Sequence, residues 1–281
     1  MQKKQANSYT IRENTIFLED AISGMKKLET GSVDLAIADP PYSASSATPA
    51  NLRLDHGLEG FGGQWKAASH DWDFLNLDHH MSFTMTWLNE LKRLVKPEGS
   101  IWIHSTYHNS GIVNVACQAL GLEIINEVVW FKRNSFPNLR ATRLTASHET
   151  ILWVHTGGAK RRYRFNYAKI KKAQYEGDRL KEADKQMRTV WDIPNNKTRQ
   201  ELSLGKHPTQ KPERVIQRLI DVSAPESGLL LSPFLGSGTD LVVGMRNGLQ
   251  GIGFELSQEY FDLASSRLKS ESLTSDGKLL L

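Results

Sequence analysis

Short apolar runs alternate with segments of helical periodicity along most of the chain. The run 15–18 is followed by apolar residues at helical spacing from Ile22 to Leu28, and a second run, 35–38, comes next. Both runs end at an acid, and the repeated order of strand, helix and strand predicts an α/β fold with a mostly parallel sheet covered by helices. The same pattern predicts five further strands, at 101–104, 123–132, 147–155, 228–231 and 251–254.

Helices are predicted between these strands, and the last of them covers 257–268. The residues after it form a polar tail in this interpretation. The polar stretch 173–205 is predicted to be a loop that Trp191 anchors to the body of the protein.

The run 35–38 is followed by Asp39-Pro40-Pro41-Tyr42. Proline cannot donate to a sheet ladder, so both prolines must lie beyond the strand end. Ligands of open α/β sheets bind outside the carboxyl ends of the strands. There the motif offers a carboxylate, carbonyls without competing N–H groups and an aromatic ring, which together suit a planar amine. A plain turn is the alternative interpretation of these four residues.

Residues 43–75 follow this motif and show little periodicity. A structureless segment of this length in a compact domain is usually a functional loop or a lid. Its place directly after the candidate site predicts a mobile loop that covers the site.

The chain has 281 residues, of which 39% are hydrophobic and 23% charged, enough for one large domain with an insertion or for two small ones. The single cysteine, Cys117, excludes an internal disulfide and favours a reducing compartment. No apolar run reaches the about 18 residues of a membrane span, and the polar start lacks the apolar region of a signal peptide. No Cys/His cluster has metal-ligand spacing. We therefore expect a cytoplasmic protein without a metal site.

The basic residues are concentrated between Lys132 and Lys172. This segment holds eleven Lys and Arg and one acid, Glu149, so its net charge is +10 and the rest of a +4 chain sums to −6. Aromatic residues are interleaved with the charges. Basic residues with aromatics suit a surface that tracks phosphates and contacts bases, so the segment predicts a nucleic-acid partner. A solvated charged face is the alternative, although such faces usually mix both signs.

A glycine turn at 232–239 joins the strand 228–231 to a helix. The order of strand, glycine turn and helix allows a nucleoside-type cofactor to approach the backbone. The next strand ends in Glu255, seventeen residues after Gly238. An acid at that place can accept hydrogen bonds from both hydroxyls of a ribose.

A second cofactor element precedes the helix that carries Val215 and Ile220. Thr209 is interpreted as the N-cap of this helix, with Lys211 beside it. Free N–H groups, the positive end of the helix dipole and an ammonium group predict an anion site that suits a carboxylate.

Together these segments resemble the β-group amino-methyltransferases of DNA, which use S-adenosylmethionine. The motif 39–42 resembles their catalytic motif, in the form usually linked to adenine N6, and 233–239 resembles their cofactor loop. The residues 207–212 are similar to their helix-entry motif, and the order of the three motifs is the permuted order of this group. The resemblance covers about residues 15–270.

The resemblance implies a Rossmann-like methyltransferase sheet of seven strands, mixed but mostly parallel, with helices on both faces and an inserted target-recognition region. It implies one domain over 1–281, with a catalytic part at about 15–132, the target-recognition insertion at about 133–205 and a cofactor part at about 206–270. The implied reaction is direct methyl transfer to the N6 amine of a flipped-out adenine, with no covalent intermediate.

The resemblance and the local chemistry together assign the site residues. The catalytic residues are Asp39, Pro40, Pro41 and Tyr42. The cofactor residues are Asp20, Asp39, Thr209, Gln210, Lys211, Pro233, Phe234, Gly236, Ser237, Gly238, Thr239 and Glu255. By resemblance, Asp20 lies near the adenine moiety, and Thr209 and Lys211 face the methionine carboxylate. The residues expected to contact DNA are Tyr107, His108, Asn109, Lys132, Arg133, Asn134, Asn138, Arg140, Arg143, His148, Arg161 and Arg162.

The chain departs from the family at Ser232, where the cofactor loop usually opens with an acid. A serine can accept a hydrogen bond but supplies no charge, so cofactor binding could weaken by about 1–3 kcal/mol. Asp39 or Asp20 could compensate for the missing charge.

Three alternatives stay open from the sequence: cytosine-N4 methylation on the same scaffold, methylation of RNA or a protein amide, and a cofactor-impaired DNA-binding module. The expected partner is double-stranded DNA, with single-stranded DNA as a second option. The sequence leaves open a homodimer and a cognate restriction endonuclease. The resemblance implies the cytoplasm of a bacterial or phage-infected cell, at the nucleoid.

Overall fold

The computed structural model describes residues 7–42, 77–137, 142–157, 162–173, 175 and 185–277, so the predicted mobile loop at 43–75 lies outside the described residues. The strands are β1 (Ser8–Ile11), β2 (Asn14–Leu18), β3 (Val33–Ala38), β4 (Val95–Ser105), β5 (Glu123–Phe131), β6 (His148–His155), β7 (Val190–Asp192), β8 (Leu229–Ser232) and β9 (Gln250–Glu255). The helices are α1 (Ala21–Met25), α2 (Leu77–Leu94), α3 (Ser110–Ala119), α4 (Tyr167–Lys172), α5 (Glu213–Ser223), α6 (Thr239–Arg246) and α7 (Gln258–Gly277).

The strands of the described ranges form one nine-stranded sheet in the order β1-β2-β9-β8-β3-β4-β6-β5-β7. The five strands from β2 to β4 in this order are parallel to one another, while β6 is antiparallel to both β4 and β5. The α/β class and the mixed, mostly parallel sheet are confirmed. The predicted number of seven strands is wrong, because the sheet is extended at both edges.

The two additional strands are short edge strands. At one edge, β1 forms an antiparallel hairpin with β2, in which Tyr9 is opposite Ile16. At the other edge, β7 pairs parallel with β5 and brings Trp191, which is 2% exposed, beside Trp130. The sequence analysis interpreted Trp191 as a loop anchor. Three residues are too few to display the alternation that identifies a strand.

Alternate residues of β3 divide the interior into two apolar layers. Leu35 and Ile37 face the layer formed with α5, α6 and α7, while Ala36 and Ala38 face the layer formed with α1, α2 and α3. This follows from the two-residue period of a strand that is buried on both faces. Helices on both faces of the sheet are thereby confirmed. Among the described residues, no helix combines the length and apolarity that crossing a bilayer requires.

The strand directions bring several chain segments to one edge of the sheet. The parallel strands β2, β9, β8, β3 and β4 all end there. Strand β6 begins at this edge and β5 ends at it, since each is antiparallel to its neighbour. We call it the carboxyl edge. Ligand sites of open α/β sheets lie at such edges.

The C-terminal helix is longer than predicted. Residues interpreted as the start of a polar tail belong to α7, which continues to Gly277. Their polar groups have partners on the body of the protein: Arg246 Nη2 donates to Glu271 at 2.6 Å, and Arg12 donates to the Ser272 carbonyl at 3.1 Å. This part of the helix is held by polar contacts and not by a row of apolar residues, so its sequence lacks the apolar periodicity that predicts a helix.

Two stacked indole rings form the centre of one layer. Trp102 and Trp153 lie with ring centroids 5.1 Å apart. Each buried N–H has a serine acceptor: Trp102 donates to Ser223 Oγ at 2.8 Å and Trp153 to Ser100 Oγ at 3.0 Å. A buried indole N–H that loses its acceptor carries the full cost of its desolvation.

Ser223→Ala is therefore expected to lower the free energy of unfolding by about 1–3 kcal/mol, because Trp102 is left without an acceptor. Urea unfolding followed by tryptophan fluorescence measures this change. Ser203→Ala, at an exposed hydroxyl, is the control and should cost less than about 0.5 kcal/mol. Equal costs for the two variants would contradict the importance of the Trp102 hydrogen bond.

Candidate active site

A cavity of about 680 Å³ opens at the carboxyl edge, between the ends of β2, β3, β8 and β9 and the segment before α5. Its volume is in the range of cofactor sites. All of the predicted catalytic residues line it, and so do all of the predicted cofactor residues except Gly238. Residues 200 positions apart in the sequence are thus brought together because their strands end at one edge.

The Asp39 carboxylate lies directly after β3 and is held by two partners. Lys211 Nζ donates to Asp39 Oδ2 at 2.7 Å, and the Tyr42 hydroxyl donates to Asp39 Oδ1. Lys211 also donates to the Tyr42 hydroxyl at 2.8 Å, which closes a three-membered network. Burial raises the pKa of Asp39 to about 6, although the Lys211 ammonium opposes this rise.

The position of Lys211 corrects the predicted anion site. Helix α5 begins at Glu213, and its N-cap is Pro212, which has no side-chain capping bond. Thr209 is therefore not the N-cap, although it lines the cavity. Pro212 has an extended backbone at the start of the helix, and the ammonium of the preceding residue, Lys211, reaches Asp39. Lys211 Nζ donates to Asp39 and to Tyr42, and the role predicted for Lys211 toward a cofactor carboxylate stays a prediction.

A second carboxylate, Glu149, lies behind this network at the start of β6. Glu149 Oε1 accepts from Lys132 at 2.9 Å, and Glu149 Oε2 lies 3.6 Å from Lys211 Nζ. Although burial opposes ionisation, Lys211 and Lys132 lower the pKa of Glu149 to about 2. Between two carboxylates, Lys211 has a raised pKa in spite of its own burial. Glu149 is not among the predicted site residues, and the feature that could have identified it is that it is the single acid between Lys132 and Lys172.

Two further titratable groups of this region, the buried His104 and the partly buried Lys197, carry no signal in the sequence. Burial lowers the pKa of His104, at the end of β4, to about 3, so its ring is neutral. Burial and the neighbouring Lys211 lower the pKa of Lys197 to about 8. A histidine in an apolar strand and a lysine in a polar loop carry no pattern that could have identified them.

The glycine turn holds Glu255 at the opposite wall of the cavity. Gly236 N–H donates to Glu255 Oε2 at 2.8 Å, and Ser257 N–H donates to Glu255 Oε1 at 2.8 Å. Gly238 has a φ of +74°, which favours glycine, and it occupies the N-cap of α6 rather than the cavity wall. The turn therefore presents a fixed carboxylate toward the cavity.

Phe234 and Asp20 line the same wall. The Phe234 ring contacts Trp87 and Phe83, with ring centroids 5.7 Å and 6.0 Å away. Asp20 is the N-cap of α1 and accepts from the Ser23 N–H at 2.9 Å. The phenyl ring offers an apolar surface, and the cap bond fixes the orientation of the Asp20 carboxylate.

A buried carboxylate that the sequence analysis missed lies between the two walls. Asp240, in the first turn of α6, is 7% exposed and lines the cavity. Ser232, at the end of β8, is fully buried and donates its hydroxyl to Asp240 Oδ2 at 2.7 Å. Burial raises the pKa of Asp240 to about 7.

Some of the residues expected to contact DNA lie exposed near the carboxyl edge. Tyr107 is 56% exposed, and its hydroxyl accepts from Arg143 Nη1 at 3.1 Å. The ring centroids of His108 and Tyr107 lie 4.0 Å apart. The side chains of His148 and Arg162 are exposed as well. These groups form the part of the predicted DNA surface that the structure brings to solvent.

Other residues expected to contact DNA are engaged within the protein. Asn109 is 1% exposed and accepts from the Thr106 N–H, so the structure does not bring it to the surface. Lys132 is bound to Glu149, and Arg133 donates to Asp192 at 2.8 Å. Asn134, although exposed, accepts from the Asn195 N–H. The three remaining residues lie outside the described ranges: Asn138, Arg140 and Arg161.

Comparisons with known proteins agree with the geometry. A family model described as DNA methylase, for N6 and N4 methyltransferases, matches residues 33–266. The chain is 36% identical over 259 residues to the Type II methyltransferase M2.DpnII of Streptococcus pneumoniae, covering 91% of this chain and 89% of the relative.

Two solved structures share the fold. The crystal structure of the M1.HpyAVI–SAM complex superposes with a TM-score of 0.60 at 21% identity, covering 90% of this chain and 98% of that one. The cytosine-N4-specific PvuII DNA methyltransferase superposes with a TM-score of 0.67 at 16% identity, covering 94% of this chain and 93% of that one. The Rossmann-like methyltransferase fold is thereby confirmed. The chain belongs to the N6/N4 family of DNA methylases and is a DNA methyltransferase.

Proposed function

We propose that this methyltransferase transfers the methyl group of S-adenosylmethionine to the N6 amine of adenine in DNA. The observation that carries the proposal is the buried Asp39 carboxylate, which opens the Asp-Pro-Pro-Tyr motif inside the cavity. The motif places hydrogen-bond acceptors next to one another at the carboxyl edge. These acceptors suit the two N–H groups of an exocyclic amine.

The residues of the cavity fit the cofactor. Glu255 is held by two backbone N–H groups, so its oxygens are fixed for ribose hydroxyls. Phe234 offers an apolar face, and the cavity volume of about 680 Å³ accommodates a nucleoside with an amino-acid chain. When bound, S-adenosylmethionine supplies an electrophilic methyl group on a positively charged sulfur.

Asp39 acts on the target amine. The lone pair of an exocyclic amine is conjugated into the base and is weakly nucleophilic. A hydrogen bond to the Asp39 carboxylate draws electron density onto the nitrogen, and the Pro40 carbonyl accepts the second N–H. Catalysis then rests on positioning and on fixed charges that favour the positive charge that develops on nitrogen.

Tyr42 and Lys211 prepare this carboxylate. The Tyr42 hydroxyl donates to the oxygen that we assign to the amine, so an arriving base displaces this hydroxyl and frees the ring to stack on the base. Lys211 stays on the other oxygen and opposes protonation of the buried acid. We therefore assign Lys211 to Asp39 rather than to the cofactor carboxylate.

The target base must leave the duplex to enter the cavity. The exposed residues Tyr107, Arg143 and His148 lie near the edge where Asp39 is found, and the basic segment continues into the predicted target-recognition region at 133–205. We assign the DNA-facing surface to this side. The relative M2.DpnII is named a Type II methyltransferase, which supports a role beside a restriction endonuclease.

Incubation with methyl-labelled S-adenosylmethionine and mixed-sequence DNA, followed by nucleoside mass spectrometry, should give N6-methyladenine. Asp39→Asn keeps the shape of the side chain but removes its charge, and it should lower the rate by about 100-fold or more. Asp262→Asn, at an exposed position on α7, is the matched control and should have full activity. N4-methylcytosine as the product would contradict the adenine assignment.

The pH dependence of kcat/KM should report the Asp39 carboxylate. Because burial raises its pKa to about 6, Asp39 is protonated below that pH and cannot accept from the amine. Activity should therefore rise with pH to a plateau, with a midpoint near 6. Lys211→Met should move the midpoint upward, since the ammonium lowers this pKa.

Lys169→Met, which removes the ion pair between the exposed Lys169 and the buried Asp221 of α5, is the control for the pH profile. Its midpoint should stay near that of the unaltered enzyme. A midpoint that Lys211→Met leaves in place would show that the acidic limb does not belong to Asp39.

DNA binding should depend on Arg143 through a phosphate. Arg143→Gln should reduce the slope of log affinity against log salt concentration by about 0.9, the contribution of one phosphate contact. Fluorescence anisotropy with a labelled duplex at several salt concentrations measures the slope. Lys269→Gln, at an exposed position on α7, is the control. An equal change of the slope in both variants would contradict the assigned surface.

A further inference from the structure

Asp240 is a buried carboxylate that the mechanism above does not use. It belongs to the first turn of α6, is 7% exposed and lines the cavity. Its hydrogen-bond partner is the neutral Ser232 hydroxyl, at 2.7 Å. A carboxylate taken out of water into such a place is costly unless a cation comes to it.

The neighbouring cations have other partners. Lys211, before α5, binds Asp39 and Tyr42. Arg267, on α7, donates to the Ser237 carbonyl at 2.8 Å and to Thr239 Oγ1 at 2.8 Å, and it forms an ion pair with Glu213. Among the residues that the structure describes, none forms an ion pair with Asp240. Its charge is opposed further by Asp39, which lies after β3.

The ligand of the cavity supplies the missing positive charge. S-adenosylmethionine carries two cationic groups, the sulfonium and the α-ammonium of its amino-acid part. The sulfonium must lie beside Asp39, because its methyl group has to face the amine held there. The α-ammonium is then the cation that is left for the second buried carboxylate.

We infer that the Asp240 carboxylate binds the α-ammonium group of S-adenosylmethionine, with Ser232 as the positioning residue that orients Asp240. The inference rests on the cofactor cavity proposed above. Asp240 then supplies the charge that Ser232 lacks at the opening of the glycine turn. A charge-assisted hydrogen bond of this kind contributes about tenfold to 100-fold in affinity.

The test is the dissociation constant of Asp240→Asn, measured by isothermal titration calorimetry with three ligands. For S-adenosylmethionine and for S-adenosylhomocysteine, which both carry the ammonium, binding should weaken about tenfold to 100-fold. For methylthioadenosine, which lacks the amino-acid part, it should change by less than about twofold. The asparagine keeps an acceptor for Ser232, so the fold should be preserved.

Two further variants separate charge from packing. Asp221→Asn changes an equally buried carboxylate, 8% exposed on α5 and outside the cavity, and should leave all three constants unchanged. The double variant Ser232→Asp with Asp240→Ser places the carboxylate at position 232, whose side chain is hydrogen-bonded to that of residue 240. It should recover most of the affinity for S-adenosylmethionine that Asp240→Asn loses.

Several outcomes would overturn the inference. An unchanged dissociation constant for S-adenosylmethionine in Asp240→Asn would do so. An equal loss of affinity for methylthioadenosine would do so as well, since it would indicate a role in folding alone. A loss confined to S-adenosylmethionine would assign Asp240 to the sulfonium instead. Glu255→Gln tests the cofactor cavity separately from Asp240. If Glu255→Gln weakens binding of all three ligands while Asp240→Asn does not, the cavity is the cofactor site and Asp240 does not bind the ammonium.

Discussion

The ion pair between Asp39 and Lys211 is the interaction on which the site depends. It joins the end of β3 to the segment before α5, across 172 positions of sequence, at 2.7 Å. Burial raises the pKa of Asp39 and would otherwise leave the acid protonated near neutral pH. Lys211 can hold its charge there because Glu149, on β6, lies on its other side. The carboxylate therefore stays ionised yet poorly solvated, which is the state that a hydrogen-bond acceptor for a weak nucleophile needs.

The distribution of charge in the cavity also explains the ligand that it suits. Asp39, Asp240 and Glu255 present three carboxylates to one volume, and the Lys211 ammonium is committed to the first of them. A neutral nucleoside would leave Asp240 without a counter-charge. A ligand with an ammonium group on its amino-acid side and ribose hydroxyls on the other matches Asp240 and Glu255.

Much of this site could be predicted from local sequence because its parts are local. A buried strand that ends in Asp39 and two prolines, and a glycine turn followed by Glu255, are each contained in a few residues, and the parallel strands bring them together. Lys211 and Asp240 could be placed only by contacts between elements: the partner of Lys211 is 172 positions away, and Asp240 on α6 accepts from Ser232 at the end of β8. Strand β7 has three residues, too few for a periodic pattern, and the sequence around α5 does not show that Pro212 rather than Thr209 is the N-cap.

A crystal structure of the ternary complex tests the mechanism most directly. It would contain the enzyme, S-adenosylhomocysteine and a duplex with the methylated sequence that the product analysis identifies. The predicted result is an adenine outside the duplex, with N6 within hydrogen-bond distance of the Asp39 carboxylate and about 4–5 Å from the cofactor sulfur, so that a methyl group on that sulfur would lie about 3–3.5 Å from the nitrogen. A cofactor bound outside the cavity, or an adenine that lies away from Asp39 while the duplex is engaged, would contradict it.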